Sequence, residues 1–151
     1  MPYRTWATND VPSAADFNNL FADPVTADVV TSENSTATTY GDLTTAGPAV
    51  TLSLVNGQTA LVSVSALMTT VSSPLTGFMS FAVSGSTTLA AADANAAIMQ
   101  SSTGQNQNAQ GTRETVFTAT ATGSHTFTAK YKVSAANTVA FQYRRIIVKK
   151  F

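Results

Sequence analysis

The run Val50-Thr51-Leu52-Ser53-Leu54-Val55-Asn56-Gly57-Gln58-Thr59-Ala60-Leu61-Val62-Ser63-Val64-Ser65-Ala66 decides the fold class. Val50, Leu52 and Leu54 recur at every second position, and so do Ala60, Val62, Val64 and Ala66. On a pleated strand such residues share one face, so each run buries one side and wets the other. Asn-Gly between two alternating runs is a strong hairpin signal. A two-residue loop would set Thr51 against Val62, polar against apolar. A three-residue loop over Val55-Asn56-Gly57 instead sets Leu52 against Ala60 and Val50 against Val62. The expectation is therefore a hairpin with Gly57 left-handed at a bulge.

The same pattern recurs downstream. Phe117, Ala119 and Ala121 form one face; His125, Phe127, Ala129, Tyr131 and Val133 form another. With Thr122-Gly123-Ser124 as a three-residue loop, Ala119 stands opposite Phe127 and Phe117 opposite Ala129. Met79, Phe81 and Val83 mark a further strand ended by Gly85, and a long strand from Thr138 to Lys149 carries Val139, Phe141 and Tyr143 on one face. Thr87–Met99 is alanine-rich and reads as a strand or a short helix. Ser101–Thr112 has no apolar residue but Ala109, which makes it an exposed loop. A loop of that length invites a functional reading, with Gln105, Asn106, Gln107 and Asn108 as its binding residues. Short strands at these intervals predict an all-β, jelly-roll-like sandwich over residues 25–151.

Residues 1–24 differ. Ser13 reads as a helix N-cap with Asp16 three residues on, and Phe17, Leu20 and Phe21 form one stripe until Asp23-Pro24 stops the helix. A helix so short is marginal alone, so this arm, with Trp6 upstream, needs something to dock on.

Composition narrows the class. The chain has 151 residues, 11% charged against roughly 25% in ordinary soluble domains, and serine with threonine fills about a quarter of it. It has no cysteine, which excludes disulfides and thiolate metal sites. No apolar stretch approaches the roughly 20 residues that cross a bilayer, so membrane insertion is not expected, and no signal-peptide core follows Met1. Formal net charge is zero but unevenly laid out: residues 1–100 hold seven acids against Arg4, and residues 101–151 seven bases against Glu114. Either acidic and basic strands neutralise each other within one fold, the preferred reading, or a basic end meets an acidic neighbour or nucleic acid. The zero net charge, and the alternation that sends Arg144 and Arg145 to opposite faces, argue against nucleic acid.

Catalytic partners are missing. The single histidine, His125, opens an alternating strand and reads as structural. No G-x-S-x-G elbow, phosphate-binding glycine loop, calcium loop or multi-histidine metal site occurs, so neither a cofactor nor an enzymatic activity is expected. Asn34-Ser35-Thr36 matches a glycosylation acceptor by chance.

The arm Arg4-Thr5-Trp6-Ala7-Thr8-Asn9-Asp10-Val11-Pro12-Ser13-Ala14-Ala15-Asp16-Phe17-Asn18 resembles the opening of minor tail and other virion structural proteins of tailed phages, especially those of actinobacteria. Tyr40-Gly41-Asp42-Leu43, Gly47–Leu52, Met79–Gly85, His125–Tyr131 and Val139–Val148 are similar, in order, to the β-domain of those proteins. The resemblance implies a non-enzymatic jelly-roll-like domain, a homotrimer, displayed on the virion as a minor tail or capsid decoration protein and assembled in the host cytoplasm. Trp6, Phe17, Leu20 and Phe21 would anchor it to other capsid or tail proteins or to a sister subunit. The alternative is a receptor- or glycan-binding module, taking a host cell-surface glycan during adsorption.

Overall fold

The computed structural model describes residues 22–70, 74–102 and 107–151, with Val11 and Ala14. Among the described residues, nine antiparallel strands make up nearly all the regular structure: β1 (Val25–Val29), β2 (Glu33–Ser35), β3 (Ala49–Leu54), β4 (Thr59–Thr70), β5 (Leu75–Gly85), β6 (Ala97–Ser101), β7 (Gln107–Thr118), β8 (Gly123–Val133) and β9 (Val139–Lys150). A 3-10 turn, Asp93–Asn95, precedes β6.

The strands form two sheets. One runs β1-β9-β4-β7, with β2 continuing β1 along β9; the other runs β3-β8-β5-β6. The pairings nest: β1 with β9, β3 with β8, β4 with β7 and β5 with β6. That is a long antiparallel ribbon rolled into two layers, the jelly roll. The chain is all-β and a sandwich, as its alternation predicts.

The core is the sum of the inward positions. Strand β4 buries Ala60, Val62, Val64, Ala66 and Met68, and β5 buries Met79, Phe81 and Val83. Phe117 of one sheet meets Phe127 of the other edge-on, with ring centroids 5.1 Å apart. Tyr131 and Phe141 do the same at 5.1 Å. Such aromatic pairs across the layers lock the two sheets together.

Both expected hairpins are corners instead. β3 pairs with β8 and β4 with β7, so neither the Leu52–Ala60 nor the Phe117–Ala129 pairing forms. Each run does turn its apolar face inward, but toward the opposite layer, a demand that alternation alone meets equally well. The turn at Asn56-Gly57 is the tight two-residue kind, closed by the Gln58 amide on the Val55 carbonyl at 2.9 Å. Gly57 is left-handed as expected, at φ 82°. The two corners hold each other: the Gly57 amide donates to the Ala119 carbonyl at 2.8 Å, and the Asn56 amide to the Thr122 hydroxyl at 2.9 Å.

Two further expectations are corrected. Of the presumed loop Ser101–Thr112, Ser101 ends β6 and residues 107–112 form the first half of β7, an edge strand paired along its whole length with β4, while residues 103–106 lie outside the described residues. In β7, Asn108, Ala109, Gln110 and Thr112 are all exposed, so consecutive residues on both faces of this edge meet water and the alternation that would have marked it is missing. The last strand alternates as expected through Phe141, but Tyr143 faces outward at φ 51°. There β9 slips by one: Ser65 pairs with Arg145 and Leu67 with Gln142, so Tyr143 and Arg144 together oppose Ala66. Two residues against one is a β-bulge. It turns Arg144 into the core and restores Ile146 and Val148 to the inner face.

Candidate functional site

Four ion pairs among the described residues join the acidic part of the sequence to the basic part. Asp28 pairs with Arg145, Glu33 with Arg144 at 3.4 Å, Asp42 with Lys130 at 2.7 Å and Asp93 with Lys132 at 2.7 Å. Each pair joins an acid of the first hundred residues to a base of the remainder. The Thr45 hydroxyl and amide, with Arg144 beyond, hold Glu33 below the usual carboxylate range. Lys132, whose ammonium also lies over the rings of Tyr40 and Phe78, does the same for Asp93.

His125 is completely buried, with Nδ1 against the Gly123 carbonyl and Nε2 against the Thr87 hydroxyl, each at 3.0 Å. Neither partner is a carboxylate, so no Ser-His-Asp relay is assembled around it. Among the described residues no three His, Cys, Asp or Glu side chains converge to hold a metal ion. Among them, too, no helix is long and apolar enough to cross a membrane.

Of the residues expected to form sites, Trp6, Phe17, Leu20, Phe21, Gln105 and Asn106 lie outside the described residues. Gln107 and Asn108 begin strand β7 and are not loop residues. Gln110, on the same strand, reaches a feature that sequence reasoning missed.

That feature is a groove on the outer face of the first sheet. Asp28, Val30, Ser65, Gln110, Tyr143 and Arg145 enclose about 290 Å³ of it. Register brings them together: Asp28 lies beside Arg145, and Arg145 beside Ser65. The bulge lifts Tyr143 out of the alternation to stand 56% exposed at the rim, and Val30 is 64% exposed. Arg145 donates through Nε to Oδ1 of Asp28, which holds the guanidinium across the groove and raises its pKa further. The signal was present in the sequence. Phe141 and Ile146 are five apart, an odd interval that cannot put both inside without an extra residue between them.

No protein-family model matches the chain, and no curated protein does. Among solved structures it is similar to that of infectious bursal disease virus Gx strain, with a TM-score of 0.47 and 10% sequence identity. The match covers 86% of this chain and 32% of the other, so the chain spans about a third of that protein's length. The fold assignment rests on the strand order and not on this likeness.

Proposed function

We propose that this chain is a non-enzymatic structural protein of a tailed-phage virion, displayed on the particle surface as a minor tail or capsid decoration protein. The observation that carries the reading is the nested strand order, since jelly rolls of this kind serve as capsid and lectin domains. Fold alone does not fix function, and the reading also leans on the ordered resemblance of the arm and β-domain to phage virion proteins. Attachment is assigned to the apolar arm, with Trp6, Phe17, Leu20 and Phe21 gripping a sister subunit or a neighbouring virion protein, because a helix so short needs a partner to dock on. A homotrimer suits such a surface position, because closed rotational symmetry places all arms at one base.

The test is incorporation. Particles assembled with the Phe17→Ser, Leu20→Ser, Phe21→Ser chain should lack it by quantitative mass spectrometry, while the free variant keeps the wild-type β-sheet spectrum. Unchanged incorporation contradicts the proposal. Copy number of the wild-type chain separates the roles: many per capsid for decoration, a few per particle for a minor tail protein.

A further inference from the structure

We propose that the groove at Tyr143 binds a single neutral pyranose ring, the unit that ends or branches a cell-surface glycan. The inference stands on the chain's own geometry and does not depend on the virion reading. It places glycan recognition on the outer face of the first sheet.

The first ground is the backbone. Tyr143 sits at φ 51°, where a side chain with a Cβ costs about 1–2 kcal/mol relative to the right-handed region. The bulge itself is explained by Arg144, which it turns inward. The tyrosine is not so explained: glycine or asparagine would shape the same bulge with less strain. A large aromatic ring held in an unfavourable conformation and left 56% exposed points to use of the ring.

The second ground is what surrounds the ring. A pyranose has one face of C–H groups and a rim of hydroxyls that both donate and accept. Tyr143 offers a flat apolar face, with the exposed Val30 beside it. Around them stand Asp28, Arg145, Gln110 and Ser65, supplying carboxylate, guanidinium, amide and hydroxyl. Arg145 Nε engages Oδ1 of Asp28, which leaves Oδ2 to accept from a sugar hydroxyl and the guanidinium nitrogens to donate to its neighbour. Planar side chains that present paired donors and acceptors suit adjacent hydroxyls.

Charge and size select the class. Asp28 and Arg145 cancel, so the groove offers no net attraction to a uronate, a phosphate or a basic group. A volume of about 290 Å³ lies at the lower end of the ~300–1,000 Å³ typical of small-molecule sites, room for one ring and not for an extended chain. A single ring contacted in so small a groove binds weakly, so strength on a cell surface would come from several copies binding at once.

The experiment is a titration of the isotope-labelled full chain, followed by amide chemical shifts. The probes are methyl glucoside, methyl mannoside, methyl galactoside, N-acetylglucosamine and glucuronic acid. At least one neutral sugar should shift resonances clustered at Asp28, Val30, Ser65, Gln110, Tyr143 and Arg145. Tyr143→Gly, which suits the bulge, should keep the folded spectrum and weaken binding by roughly tenfold or more. Tyr143→Phe should bind as the parent does. The proposal is overturned if no neutral sugar moves that cluster, if Tyr143→Gly binds unchanged, or if glucuronic acid binds more tightly than every neutral probe.

Discussion

The guanidinium of Arg144 lies 5.5 Å from the ring centroid of Tyr131, and both side chains are essentially without solvent contact. Tyr131 in turn donates its hydroxyl to the Gly47 carbonyl at 2.7 Å. The cation reaches Glu33 and the carbonyls of Thr31 and Thr45, all at 3.4 Å, while its Nε has no hydrogen-bond partner among the described residues. It thereby ties the β1–β2 turn and the 36–48 segment to β9.

Because these contacts are long and one donor is unpaired, the cation should matter less than the volume it fills. Arg144→Ala should cost about 3 kcal/mol in chemical denaturation, as expected for emptying a large buried site. Arg144→Met, which keeps most of the volume, should cost less than half as much. Equal losses for the two variants would mean that the charge, and not the packing, holds the loops.

Stability should fall on the acid side through identified carboxylates. Thr45 hydrogen bonds and Arg144 depress Glu33; Lys132 and the Tyr40 hydroxyl depress Asp93. A depressed carboxyl stabilises fully above its unfolded-state value, near pH 4, and that stabilisation disappears as pH drops through the lower folded-state value. Glu33→Gln and Asp93→Asn should therefore lower stability at pH 7 and flatten the decline between about pH 4 and 2. Parallel curves for parent and variants across that range would show that these pairs contribute nothing.

At the bulge, the order of stability should follow tolerance of positive φ. Tyr143→Gly should match or exceed the parent within about 1 kcal/mol, because glycine accepts φ 51° without strain. Tyr143→Val should be the least stable of the three, since branching at Cβ makes that conformation worse. Thermal melts of the two variants beside the parent decide it; a valine variant as stable as the glycine one would mean that the bulge has relaxed.

Which residues face inward was legible from alternation, as the buried faces of β4, β5 and β8 show. The charge halves were legible too, because four acids and four bases far apart in the chain meet in pairs. Layer assignment was not, since Val50–Leu54 satisfies its inward face equally against Ala60–Ala66 or across the core. What decides between them is the clasp between the Asn56-Gly57 turn and the Ala119–Thr122 corner, a contact between segments some sixty residues apart. Strand β7 was hidden because an exposed edge has no reason to alternate. The groove was hidden because its residues come from four strands or their flanks, and only the register unites Asp28, Ser65, Gln110 and Arg145.

The rolled order of the strands carries all of this, and cross-strand proton contacts in the labelled chain read it directly. Backbone contacts should link Thr51 to Thr126 and Ser53 to Ser124, beside the hydroxyl pair of Thr51 and Thr126 at 2.8 Å. None should link Leu52 to Ala60 or Val50 to Val62. Strong contacts for the latter two pairs would mean that β3 and β4 lie side by side in one sheet, and the jelly roll would be wrong.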